Sequence, residues 1–391
     1  MSFKNALIKK FISLVRLCQR KRVPVSDEKR FLVISTTGLG DTLWATPAIK
    51  ALRETYPSAY IAVLTSPPGK EVLALNRRID ELFVVKNPPL FFLVPLYFAL
   101  RKRGITTTLI FHTSQRPLLP FASLVTFCNV IGTDQMHKGL DELLTVRIDK
   151  KPVHEIARRL EIAAHVGAQT LDPDLELFIS EHDEKTAQDL LDSLMLPDYL
   201  PLVGMHPGAK DKFKQWPPSH FIEVGNRLVQ DLGCQIIVTG NAEESALVEK
   251  IASQIKDAIP LAGKLPLRPF AALIKRFSLM ISNDTGPMHV AFAMKIPTVA
   301  IFTPTDPKLC GPYFSSHATI IEKNPTCTPC LRKKCRDPFC LLQISPQAVY
   351  DASINFFYQK GPCSPLPAEF RTAKANKAQK SKTEENHGVL P

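Results

Sequence analysis

Short apolar runs of the kind that a parallel sheet buries on both faces alternate along this chain with amphipathic helical stretches, and halfway along the alternation starts again. "FLVIS", "AYIAVLTS", "LFVVK" and "TTLIF" read as strands, with helical segments such as "TLWATPAIKALRETYP" between them. After the bridging stretch "DEKTAQDLLDSLMLPDYLP" the pattern returns in "PLVGMH", "CQIIVTG", "LMIS" and "TVAIF". These are separated by helical stretches such as "HFIEVGNRLVQDLG" and "AEESALVEKIASQI". A strand without a polar face must be covered on both sides, so the pattern predicts two α/β halves, each a parallel sheet between helices. Joined near residues 185–200, two such halves leave a cleft, and 391 residues suffice for two cores.

The chain ends differ from this grammar. The first 24 residues hold seven Lys or Arg and no acid, and Phe3, Leu7, Phe11, Leu14 and Cys18 recur at helical steps. Such a basic helix either lies on an anionic membrane surface or docks on the protein with its cations in water. "PPLFFLVPLYFALRKRG" (88–104) is too short to span a bilayer and is broken by Pro95. It reads either as a buried helix or as a segment that dips into a membrane interface beside its basic end. A helix is predicted over 346–360, and the Pro-, Lys- and Ala-rich residues 361–391 are predicted to be disordered.

A net charge of +12 favours an anionic partner. Nucleic acid fits poorly, since aromatic residues are not interleaved with the basic ones as base stacking requires. Nine cysteines, unevenly spaced in a chain of this size, suit a reducing compartment, and no secretory signal is evident, so a cytoplasmic location is expected. Four of them, Cys327, Cys330, Cys335 and Cys340, form a C-x2-C-x4-C-x4-C run. The first pair has zinc spacing, whereas the others are tight for a zinc site; a bound zinc or iron–sulfur cluster is the alternative, and reduced structural thiols are the default.

Four stretches carry chemistry, each where a strand gives way to a helix. In "STTGLGDTLW" the glycines allow close backbone approach, and Asp41 is either a helix cap or a carboxylate facing the cleft, where a general base for a sugar hydroxyl would sit. The stretch is neither a P-loop nor a dinucleotide fingerprint, which disfavours an NAD-dependent oxidoreductase. "HPGAKDKFKQWP" offers Lys210, Lys212 and Lys214. "TGNAEE" places Glu243 and Glu244 at a helix start, as dipole partners or as ligands for ribose hydroxyls. In "SNDTGPMHVAF", Asp284, Thr285, Gly286 and His289 surround a helix N-terminus whose free N–H groups suit phosphate.

Taken in order, "GLGDTLWATPAIKALRETYP", "HPGAKDKFKQWP", "TGNAEE" and "SNDTGPMHVAFAMKIPTVAIFTPTDP" resemble glycosyltransferase family 9. These are the bacterial ADP-heptose:lipopolysaccharide heptosyltransferases, and the resemblance runs from about Phe31 to about Phe357. It implies a GT-B type fold, two Rossmann-like domains with parallel sheets facing a central cleft. A basic extension (1–30) would precede an acceptor domain (31–185) and a donor domain (198–345). It further implies Asp41 as catalytic base, Lys214 on the donor phosphates, Glu243 on the ribose, and Asp284, Thr285, Gly286 and His289 around nucleotide and pyrophosphate. The implied partners are ADP-heptose and a lipid A-core acceptor, with no metal or other cofactor. The loop 208–215 departs from the family in lacking hydroxyl residues and in carrying extra lysines. Two other readings remain open: a GT-B enzyme with a different nucleotide-sugar and envelope glycan, and a non-catalytic binder of sugar nucleotides or glycolipids.

Overall fold

A computed structural model describes residues 10, 12–15, 28–86, 90–112, 115–197, 199–313, 316–323, 327, 330, 335 and 339–358. In the first half the strands are β1 (Arg30–Ser35), β2 (Tyr60–Thr65), β3 (Glu81–Val84), β4 (Thr107–His112), β5 (Asn129–Thr133) and β6 (Val146–Ile148). In the second they are β7 (Leu202–His206), β8 (Gln235–Gly240), β9 (Ile259–Ala262), β10 (Leu279–Asn283), β11 (Thr298–Phe302) and β12 (Ala318–Glu322). The first sheet runs β3-β2-β1-β4-β5-β6 and the second β12-β11-β10-β7-β8-β9. Every pairing is parallel, with Val33 opposite Val63 and Leu109, and Ile281 opposite Met205 and Val299. The strand order thus reverses between β1 and β4, and again between β7 and β10, and in such sheets ligands bind at the carboxyl edge of the reversal.

The apolar runs explain the layers. Leu32 and Ile34 point to one face of the first sheet and Phe31 and Val33 to the other, and all four are buried. Each such side chain contributes about 1.5–3 kcal/mol by leaving water. One apolar cluster continues from the first sheet into the second half through Ala271–Ile274, so the two halves share a core. The linking helix Glu181–Ser193 contains residue 185 and packs on helix Leu267–Ile274 of the second half. Its Asp183 and Glu184 meet Arg268 and Lys275 at 3.4 and 2.8 Å. Helix Pro346–Tyr358 closes the second sheet, with Arg227 lying 3.8 Å over the Tyr350 ring.

Several sequence expectations are corrected. The glycine loop before Asp41 is already partly helical. Helix Leu39–Leu43 starts at Gly38 and breaks at Trp44-Ala45, and a second helix, Thr46–Thr55, follows with Pro47 in its first turn. The break replaces one predicted continuous helix with two, and Asp41 lies in the first. Helix Leu90–Lys102 is half-buried, neither a core helix nor a span: Leu100 is buried, whereas Val94 and Phe98 stand in water. Among the described residues no helix is long and apolar enough to cross a membrane. Of the N-terminal apolar stripe, Leu14 is exposed while its neighbours Ile12 and Val15 enter the first core. Phe3, Leu7, Phe11, Cys18 and residues 361–391 lie outside the described residues.

Candidate active site

At the reversal of the first sheet, the ladder between β1 and β4 slips by one residue, so that Ser35 pairs with His112. Such irregularities re-aim the chain beside functional sites. The short helix that follows carries Asp41 as its third residue, not as its cap. One carboxylate oxygen accepts the Gly38 N–H at 3.2 Å. The other lies 3.6 Å from the Arg159 guanidinium.

Arg159 is wholly buried, an expensive place for a cation unless partners hold it. It donates to the Glu155 carbonyl at 2.6 Å and to the Glu155 carboxylate at 2.7 Å, and lies 5.5 Å over the Trp44 ring. Its Nε and Nη2 have no hydrogen-bond partner among the described residues, and Nη2 is the atom turned toward Asp41. Burial also pushes His112 below its ordinary pKa, with Asp41 opposing that shift, so an uncharged imidazole lies near the carboxylate at neutral pH.

Across the cleft, β10 ends in Asn283, whose amide fastens the neighbouring loop. It donates to the Pro207 carbonyl at 2.8 Å and accepts the Trp216 N–H at 3.1 Å. Trp216 is buried and donates its indole N–H to the Ile344 carbonyl at 2.9 Å. This fixes the loop whose Lys214 ammonium meets the Asp284 carboxylate at 2.6 Å. Thr305 also donates its hydroxyl to Asp284. Thr285 is the N-cap of helix Gly286–Ala293 and makes no side-chain cap bond, so the first N–H groups of that helix are not capped by it.

The two sides touch. A Cβ on Gly40 would lie 2.9 Å from the His289 ring, and one on Gly286 would lie 3.2 Å from Leu39. The Trp44 and His289 rings meet edge to face at 4.9 Å. His289 is buried there, and burial drives its pKa down to about 4. It is therefore a neutral group packed between the halves, beside the turn that the motif assigns to nucleotide and pyrophosphate. A second contact between the halves is His154, whose ring lies 3.0 Å from the Gly311 carbonyl and packs on Tyr313.

Beside this junction the second half holds a cavity of about 790 Å³. Lys210, Lys212, Glu243 and Thr285 line one part of it, and Leu261, Leu265 and Phe270 another. Glu244 also reaches the cavity, but its carboxylate and N–H are engaged with Asn241 at 2.9 and 3.0 Å. Glu243 carries no such bond and is exposed. Gly263 has φ +61°, and a Cβ there would meet the Ala242 backbone at 2.9 Å, so glycine is required at this wall. The cavity thus offers an apolar shelf for a base, a carboxylate for hydroxyls, and lysines with a helix N-terminus for phosphates. Cys327, Cys330, Cys335 and Cys340 are free thiols, and among the described residues no three metal-ligating side chains come together.

The sequence profile of glycosyltransferase family 9 (heptosyltransferase) matches residues 122–339, more than half of the chain. The chain belongs to glycosyltransferase family 9. It is 24% identical to lipooligosaccharide heptosyltransferase 2 of Campylobacter jejuni, over 81% of this chain and 95% of that one. A solved family 9 glycosyltransferase of Veillonella parvula superposes with a TM-score of 0.76 at 25% identity, over 86% of this chain and all of the other. An Escherichia coli heptosyltransferase solved with ADP-2-deoxy-2-fluoro heptose shares the fold, at a TM-score of 0.62 and 17% identity, over 82% of this chain and 98% of that one. As a family 9 member the chain is a glycosyltransferase with the GT-B arrangement of two parallel-sheet halves.

Of the residues that sequence reasoning grouped, Lys214 and Asp284 touch and Gly286 lies against Leu39, two residues before Asp41, whereas Glu243 and Thr285 line the cavity beside them. It overlooked Arg159, Trp44 and His112. Arg159 left a signal in "EIARRLEIAA": the spacing Ile156, Arg159, Ala163 puts an arginine in the apolar stripe of helix Glu155–Ala164.

Proposed function

We propose that this family 9 glycosyltransferase moves heptose, with inversion, from ADP-heptose to a hydroxyl of the lipopolysaccharide inner core. It would act as a cytoplasmic protein, peripheral on the inner face of the inner membrane. The observation that carries the reading is the meeting of the Asp41 helix with the Asp284–His289 turn at the mouth of the 790 Å³ cavity. The donor named for the Escherichia coli relative and the lipooligosaccharide named for the Campylobacter one supply the substrate classes.

In this reading adenine rests among Leu261, Leu265 and Phe270, and Glu243 accepts from the ribose hydroxyls. The diphosphate lies toward Lys210, Lys212 and the free N–H groups at Gly286, with Lys214 held beside them by Asp284. Asp41 removes the proton of the acceptor hydroxyl as its oxygen attacks the anomeric carbon from the face opposite the diphosphate. The bond from that carbon to the phosphate oxygen breaks, and ADP departs with the electron pair. Its growing negative charge is met by lysines and N–H dipoles already in place, each such donor contributing roughly 3 kcal/mol to the transition state. Arg159 takes no part in the proton transfer and orients Asp41.

The test is calorimetric titration with ADP, UDP and GDP, followed by transfer assays with the matching sugar conjugates. The reading expects ADP to bind at least tenfold more tightly than the others and ADP-heptose to be consumed with a lipid A-core acceptor. Preference for UDP or GDP would replace the donor, and binding without any transfer would make the protein a sugar-nucleotide binder.

A further inference from the structure

A second concavity, of about 720 Å³, lies on the first half between helices Leu90–Lys102 and Leu118–Val125. Its character is opposite to that of the donor cavity: Val94, Tyr97, Phe98, Phe121 and Leu124 line it, and Arg116 is its one charged wall residue. Val94 and Phe98 are 64% and 61% exposed, and Leu14, on the segment whose Ile12 and Val15 are buried in the same core, is 60% exposed. Water is a poor neighbour for so much contiguous apolar surface, and such patches mark interaction sites.

Place and charge identify the occupant. In a parallel sheet the helix after a strand starts at the strand's carboxyl end, and both helices follow strands of the first sheet, β3 and β4. Leu93, Val94 and Pro117, at the starts of these helices, therefore stand at the edge of the sheet that also carries Asp41. The groove thus begins at that edge and runs along both helices as far as Phe98 and Leu124. Lys86, Arg116 and Lys138 are exposed around this end, and Lys102 and Lys10 are exposed farther out. Of the nearby acids, Asp141 is engaged with the N–H groups of Met136 and His137 at 3.1 Å, and Glu142 is exposed. Among the described residues no acid lines the groove.

We infer that this face is the membrane-docking surface, taking an anionic bilayer with Val94 and Phe98 below the headgroups and the cations among them. Apolar anchors joined to cations are what hold a protein at an anionic interface without spanning it. The inference rests on the proposed lipid-borne acceptor, since docking there sets the cleft mouth against the surface from which that acceptor projects.

The test uses the full chain and Val94→Asp/Phe98→Asp, whose changes fall on exposed side chains and leave the core intact; matching urea midpoints confirm folding. Co-sedimentation with vesicles of phosphatidylcholine and phosphatidylglycerol is compared with pure phosphatidylcholine. Transfer is measured to an acceptor embedded in the vesicles and to the same core sugar freed of its acyl chains. The wild type is expected to bind the anionic vesicles at least tenfold more strongly than the neutral ones. The double variant is expected to lose at least tenfold of that binding and of transfer to the embedded acceptor, with transfer to the soluble sugar unchanged. Equal binding by variant and wild type, which would assign attachment to the basic N-terminal segment, overturns the inference. So does binding indifferent to lipid charge, or a change from dimer to monomer in the variant, which would make the groove a contact between copies. Vesicle binding of the expected kind with no transfer to either acceptor would refute the proposed function and leave the docking surface standing.

Discussion

At the residue scale the site divides into groups that do chemistry and groups that hold them. Asp41→Asn keeps the shape and the Gly38 N–H bond but cannot take a proton. It is expected to lower kcat by about 10²–10⁴, the usual worth of a general base, with ADP affinity unchanged by titration calorimetry. Arg159→Met removes the buried cation 3.6 Å behind that carboxylate. It is expected to lower kcat about tenfold or more while the KM for the donor stays put, since Arg159 lies outside the donor cavity. Lys214→Met behaves differently because Asp284, almost wholly buried, would lose its cation and keep only the Thr305 hydroxyl. A loss of stability of about 3–5 kcal/mol should accompany the loss of ADP binding, readable as a lower urea midpoint. Thermodynamics thus separates holder from reactant: the Asp41 variant should unfold within about 0.5 kcal/mol of wild type.

At the element scale, helix Leu39–Leu43 and helix Gly286–Ala293 meet with no room to spare. Gly40→Ala would drive a methyl group into the His289 ring, 2.9 Å away. The two helices must then part, so kcat is expected to fall by about tenfold while ADP binding, built on the second half, is retained. This contact also shows what the sequence could disclose. β1, β2, β7 and β10 were legible because central strands are apolar without a break, as in "FLVIS" and "LMIS". β6 and β12 sit at sheet edges and carry Arg147 and Glu322, β9 is a four-residue edge strand with Pro260, and β5 carries Asn129 and Gly132, so none reads as a buried strand. The strand-to-helix turns bearing Asp41, Lys214 and Asp284 were legible because acid, base and glycine recur where α/β folds bind ligands. The burial of His289 was not, because the group that buries it, Trp44, lies some 240 residues away in sequence. Arg159 escaped for a related reason: Glu155 lies on its own helix, but Asp41 and Trp44 reach it from more than a hundred residues away.

At the scale of the whole molecule, two buried histidines set the response to acid. His206, at the carboxyl end of β7, and His289, between the halves, are both pushed by burial down to about 4. In the unfolded chain both titrate near 6.5. The unfolded state therefore binds more protons between these values, and stability is complete above pH 6.5 and lost as pH falls toward 4. Each histidine contributes on the order of 3 kcal/mol across that window. The urea midpoint should drop steeply between pH 6.5 and 4.5, and His289→Gln should flatten the profile; an unchanged slope would mean that His289 is not buried neutral. All of these arrangements matter for one reaction, and that reaction can be watched directly. Purified protein, ADP-heptose and lipid A-core acceptors, with and without heptose, are mixed, and ADP and the glycosylated acceptor are followed together. The account expects one ADP per heptose transferred, an inverted anomeric centre, and transfer slowed by about 10²–10⁴ with Asp41→Asn. Transfer at the wild-type rate by that variant, or ADP-heptose left unconsumed while another nucleotide-sugar is used, would contradict it.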